Sequence, residues 1–132
     1  LRGRKVVVFA VAGAFADICN LSHLPGYMRN MEAFAAKGVD EVICLSVNDP
    51  LVMQAWGKAT GAFSEGVTLL ADTNSGFTSG TGMNFDFPDD GMIARSKRYA
   101  MVVEDGLVLT LQEEIHAGMC EVSNAPAILD LL

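Results

Sequence analysis

The sequence predicts an α/β fold, a sandwich with a mixed central sheet flanked by helices, and three observations carry that prediction. Residues 6–11 and 41–47 are apolar runs without alternation and rich in β-branched side chains, as strands covered on both faces require. Residues with helical periodicity separate them, which makes a βαβ unit and hence parallel strands. Asp105-Gly106 lies between two further apolar runs and is a strong antiparallel hairpin signal.

The elements follow in order. After the first strand, Ala12-Gly13-Ala14 is compact enough for a tight turn, and Asp17 is the expected cap of the next helix. Cys19 falls in that helix's first turn, where free amides and the helix dipole favour negative charge on sulfur. The competing reading is a buried, inert thiol. Leu21, Leu24, Met28, Met31, Phe34 and Ala35 recur at helical spacing, and Pro25-Gly26 predicts a kink, a bulge or two consecutive helices before Gly38 ends the run. Asp49 and Pro50 are cap and first residue of a second helix to about residue 59, with Val52, Ala55, Trp56 and Ala59 on the face expected to bury. Residues 67–71 form a third strand, and 72–76 a turn capping a short helix from Phe77. Residues 80–92 read as a solvated loop whose Asp86, Asp89 and Asp90 are surface acids. Strands at 99–104 and 107–111, an irregular 112–122 segment and a last helix started by Ser123 and Pro126 complete the chain. The order β, α, β, α, β, loop, β-hairpin, α is that of a thioredoxin-like fold.

Composition narrows the function. The 132 residues, 51% of them hydrophobic, suffice for one core, so we expect a single domain over 1–132. A net charge of -7 and nine scattered Lys and Arg residues argue against nucleic acid. Polar residues interrupt every apolar run before about 18 positions, so no membrane span is expected. An odd set of cysteines, Cys19, Cys44 and Cys120, fits a reducing compartment and reactive thiols, and a cytoplasmic location follows as the expectation. Leu1-Arg2-Gly3-Arg4 stands just ahead of a core strand, which suggests that a preceding segment is absent.

VVVFAVAGAFADIC with SHLPGY, DEVICLSVNDPLVMQAWGKA and RSKRYAMVVEDG together closely resemble the type II, or atypical two-cysteine, peroxiredoxins of the redoxin family. The blocks keep the family's order and spacing over essentially the whole chain; the family normally begins with a further N-terminal strand segment, which the resemblance implies is missing ahead of Leu1. The resemblance implies a thiol-dependent peroxidase, an antioxidant enzyme without a metal or other cofactor, acting on hydrogen peroxide and small alkyl hydroperoxides through a cysteine sulfenic acid. It also implies a homodimer, with glutathione, glutaredoxin or thioredoxin as reductant. Cys19 matches the peroxidatic cysteine and Arg98 the arginine beside it. A fixed guanidinium would stabilise the thiolate and the charge developing on peroxide oxygen. Outside the resemblance, Arg98 reads as a surface arginine in a cluster with Arg95 and Lys97.

Two departures temper this expectation. The family places a proline and a threonine or serine where this chain has Ala12 and Ala16. One lost charge-assisted hydrogen bond costs about 1.5 to 3 kcal/mol, roughly tenfold to a hundredfold in rate if it acts in the transition state. The Asp17 carboxylate, two positions from Cys19, also opposes a thiolate. The alternative is therefore a catalytically impaired redox-sensing or interaction protein on the same fold. The resolving candidates are Cys44, which also reads as a strand core residue, and Cys120, which reaches Cys19 only if the 112–122 segment folds over the site. His23, one turn after Cys19, reads as structural, with a base as the competing role.

Overall fold

The computed structural model describes residues 3–132; Leu1 and Arg2, the start of the basic opening segment, lie outside the described residues. Strand β1 (Lys5–Val11) is the sheet's centre and alternates between two buried faces, with Val7, Phe9 and Val11 on one and Val6, Val8 and Ala10 on the other. It pairs in parallel with β2 (Glu41–Ser46), which pairs in parallel with β3 (Thr68–Ala71). On its other side β1 pairs antiparallel with β6 (Tyr99–Glu104), and β6 with β7 (Leu107–Glu113). The resulting order, β3-β2-β1-β6-β7, is the mixed sheet of the thioredoxin-like sandwich. Asp105 and Gly106 both take positive φ, 51° and 79°, as the predicted two-residue hairpin turn requires.

The helical stretch after β1 is broken as Pro25-Gly26 predicts. A π-helical turn, Cys19–His23, runs into α1 (Leu24–Arg29) and then α2 (Met31–Ala36). The wider turn rotates the buried face, so Leu24, Tyr27 and Phe34 are buried while Leu21 is 73% exposed and Ala35 faces solvent, contrary to the regular periodicity expected of them. The expected Asp17 cap is absent: Ile18 is already helical, no side chain caps the turn, and the Asn20 amide donates to the Ala16 carbonyl.

Helix α3 (Pro50–Thr60) starts as predicted, with the Asp49 carboxylate accepting from the Val52 amide at 2.9 Å. Its buried face is Met53, Trp56 and Gly57, displaced from the expected one, with Ala55 and Ala59 exposed. Gly57 explains the shift, because a Cβ there would lie 2.2 Å from the Phe63 ring. Helix α4 (Gly76–Gly80) is held by Asp72, which accepts from the Phe77 and Thr78 amides.

The 80–92 segment is not the solvated loop that its breakers suggested. Strands β4 (Asn84–Phe87) and β5 (Met92–Ser96) form a separate antiparallel ribbon, with Pro88, Asp89, Asp90 and Gly91 in its turn and Asp86 within β4. Helix α5 (Ala125–Leu129) is capped by Asn124, whose side chain accepts from the Ala127 amide, and not by Ser123. Ile128 is buried, whereas Leu131 is about half exposed. Among the described residues no helix is long and apolar enough to cross a membrane.

Candidate active site

The site lies where β1 ends. Its parallel neighbour β2 stops at the same level, and Asn48 just beyond β2 accepts from the Ala14 amide at 3.0 Å and from the Ser46 hydroxyl. That clamp holds the Ala12 to Ala16 loop. Phe15 within it has a φ of 65°, a strained conformation for a residue with a Cβ and one that accumulates at functional sites. The Asn20 side chain accepts from the Trp56 indole at 2.8 Å, fixing the start of the helical turn against α3.

Cys19 is fully buried, and Arg98, immediately before β6, is 2% exposed. The structure brings them together: Arg98 Nη2 donates to Cys19 Sγ at 3.0 Å. The guanidinium uses two further donors, Nη1 toward His23 Nδ1 at 2.8 Å and Nε to the Ala117 carbonyl at 2.9 Å. Neither ion pair found among the described residues, Arg4 with Glu41 and Lys97 with Glu113, involves Arg98. A buried guanidinium without a carboxylate is costly unless an anion lies beside it, and Cys19 Sγ is one of the three acceptors its donors reach.

His23 is also fully buried, one turn beyond Cys19. Its Nε2 lies 3.0 Å from the Ser123 carbonyl, so Nε2 carries the hydrogen and Nδ1 is left as the acceptor for Arg98. Burial first, and the Arg98 charge second, push its titration down to about 3, so the ring is neutral at ordinary pH. Tyr27 donates to the same Ser123 carbonyl at 2.7 Å. Ser123 is in turn fixed by Glu114, whose carboxylate accepts the Ser123 hydroxyl and the amides of Glu121, Val122 and Ser123. Burial opposes the charge on Glu114, but these donors outweigh it and hold the carboxyl below the usual carboxylate range.

A cavity of about 290 Å³ opens beside this network, lined by Ala12, Ala16, Phe85, Phe87 and Met92, with Arg98 at its inner end. The β4–β5 ribbon thus supplies a wall of the site. Ala12 and Ala16, the two departures in the loop, both line the cavity, which has neither a hydroxyl nor a proline ring at those positions. Asp17 is exposed on its rim.

All three cysteines are free thiols. Cys44 is fully buried on β2 opposite Phe9 of β1, and burial first, then the neighbouring Cys19, push its thiol well above the ordinary range. Cys120 is half-buried, and burial raises its thiol while Arg98 pulls the other way. The segment carrying Cys120 does fold over the site, since Ala117 accepts from Arg98 Nε. Among the described residues no group of three or more His, Cys, Asp or Glu is placed to hold a metal. Sequence reasoning did not find the contact of His23 with Arg98, the hold of Glu114 on Ser123, or the ribbon wall; the only available signal was the Cys19 to His23 spacing of one turn.

Comparison with known proteins gives a consistent picture. The redoxin family model matches residues 1–129. Peroxiredoxin-2D of Arabidopsis thaliana is 42% identical over 130 residues, covering 98% of this chain and 79% of the relative. The chloroplastic peroxiredoxin-2E-2 of Oryza sativa subsp. japonica is 42% identical over 132 residues, 98% of this chain and 58% of that protein. Among solved structures, reduced Prx3 in complex with hydrogen peroxide from Vibrio vulnificus superposes with a TM-score of 0.93 at 45% identity, over 99% of this chain and 83% of that one.

Proposed function

The chain belongs to the redoxin family as a peroxiredoxin, a thiol-dependent peroxidase, and we propose that Cys19 is its peroxidatic sulfur and Arg98 the group that holds the thiolate and the peroxide. The single observation that carries the assignment is the 3.0 Å contact of a buried, carboxylate-free guanidinium with Cys19 Sγ. The Cys19 thiolate attacks the distal peroxide oxygen, an S–O bond forms as the O–O bond breaks, and the departing alkoxide or hydroxide takes a proton to become alcohol or water. A thiol then attacks the sulfenic sulfur, releases water and leaves a disulfide, which a second thiol reduces. Hydrogen peroxide and small alkyl hydroperoxides are the proposed substrates, supported by the cavity next to Arg98 and by the peroxide complex of the Vibrio relative.

Of the two resolving candidates, Cys120 is favoured over Cys44. It is the more exposed, and its segment already lies over the site. Without resolution, glutathione, glutaredoxin or thioredoxin supplies both thiols. Peptide mapping after one equivalent of peroxide should recover a Cys19–Cys120 disulfide; a Cys19–Cys44 disulfide would reverse the preference, and a persistent sulfenic acid would leave only external thiols. The reading extends to a homodimer in the cytoplasm, with the chloroplastic relative pointing to an organelle as the competing location.

A slow redox sensor is the second reading, favoured by the two alanines in the cavity wall. Stopped-flow oxidation of the wild-type chain by hydrogen peroxide separates the two. Oxidation far faster than that of free cysteine, lost in Cys19→Ser, supports the peroxidase assignment; a rate equal to free cysteine sinks it.

A further inference from the structure

We propose that His23 is a positioning residue that aims the Arg98 guanidinium at the Cys19 sulfur. The inference rests on the assignment of Cys19 and Arg98 above. Arg98 has a long, rotamer-rich side chain, and one contact with sulfur does not define the plane of its fork. Two further acceptors do. One is the Ala117 carbonyl, on an irregular segment; the other is His23 Nδ1, on the same helical turn as Cys19. Because His23 and Cys19 share that turn, the arginine is referenced to the element that carries the sulfur.

The chemistry of the acceptor matters as much as its place. A carboxylate at position 23 would neutralise Arg98 and compete with the thiolate for it. A neutral imidazole accepts one hydrogen bond and leaves the full positive charge for the sulfur and the peroxide. The ring can act only as acceptor at Nδ1, since Nε2–H is committed to the Ser123 carbonyl, which Glu114 fixes through the Ser123 amide and hydroxyl. The ionisable groups that face the His23–Arg98 pair are Cys19, Glu114, Tyr27, Cys44 and Cys120, none of them a cation.

Two substitutions separate positioning from packing. The ring also packs 4.9 Å from Phe9, so His23→Phe keeps an aromatic ring and loses the acceptor, whereas His23→Gln loses the ring and keeps one acceptor and one donor. Positioning predicts that oxidation of Cys19 by hydrogen peroxide slows about ten- to hundredfold in His23→Phe and that His23→Gln recovers most of the loss. A purely structural histidine predicts the reverse order, and that order, or a wild-type rate in His23→Phe, overturns the proposal. Should neither variant fold, nitrogen-15 NMR of the wild-type protein decides. The expected spectrum shows a neutral His23 with hydrogen on Nε2; hydrogen on Nδ1 excludes acceptance from Arg98 and overturns the inference. This measurement does not depend on peroxide turnover, so a failed peroxidase assignment and a failed positioning role are read separately.

Discussion

The two faces of the central sheet are equally well buried along β1, yet they differ in how their polar groups are treated. On the helix-covered face, hydrogen bonds run in series from Glu114 through Ser123, His23 and Arg98 to Cys19. On the opposite face, Val6, Val8, Ala10, Ile43, Leu45 and Tyr99 lie near the five-residue α4, and a cavity of about 400 Å³ remains between Ile43, Leu70, Phe77 and Met101. The Tyr99 hydroxyl there has no partner among the described residues. Burial alone therefore does not organise the site. What distinguishes the face that carries Cys19 is that the buried donors of Arg98, His23 and Ser123 are matched to acceptors that are themselves held, which removes the freedom a long arginine would otherwise keep.

Acid should break this contrast most strongly. His23 titrates near 6.5 when unfolded and at about 3 in the fold, so between those values the unfolded chain binds the extra proton and stability falls as pH drops. The loss approaches about 4–5 kcal/mol by pH 3. Urea titrations across this range should show it, and His23→Phe should remove most of the slope. Glu114 adds to the acid loss at the low end, because a depressed carboxyl stabilises the fold at higher pH and ceases to do so as pH falls through its folded value.

Next in size is the fork itself. Arg98→Lys keeps the charge but cannot reach Cys19, His23 and Ala117 together, and we expect peroxide oxidation of Cys19 to slow about a hundredfold in a folded protein. A rate within a few fold of wild type would show that charge alone suffices. Glu114→Gln replaces an acceptor of four hydrogen bonds by a weaker one and should lower stability by about 1–3 kcal/mol in denaturant titration. The smallest effect is the most direct comparison of the two faces. Tyr27→Phe removes a buried hydrogen bond to Ser123 and should cost about 1 kcal/mol, while Tyr99→Phe removes a hydroxyl without a partner and should be neutral or slightly stabilising. Equal losses in the two variants would erase the distinction drawn here.

Much of the fold was legible in the chain because its signals are local. The apolar run of β1, the Asp49-Pro50 helix start and the Asp105-Gly106 turn each act through neighbours a few residues away. The β4–β5 ribbon was missed because breakers on both sides of and within β4, from Gly80 and Gly82 to Pro88, Asp89, Asp90 and Gly91, masked the pairing of Phe85 with Arg95 and Phe87 with Met92. The α3 face was displaced because Gly57 admits the Phe63 ring, a contact that helical periodicity does not encode.

For the site, the sequence by itself determined a cysteine in the first helical turn after a buried strand, and the family blocks singled out Arg98 from a basic cluster that otherwise reads as surface. Tertiary structure alone decided that Arg98 is buried, that three acceptors share its fork, and that His23 is one of them. Arg98 lies 75 residues from His23 and 79 from Cys19. No spacing rule links residues so far apart; the antiparallel docking of β6 on β1 brings the arginine to the end of the strand from which the cysteine's helical turn begins.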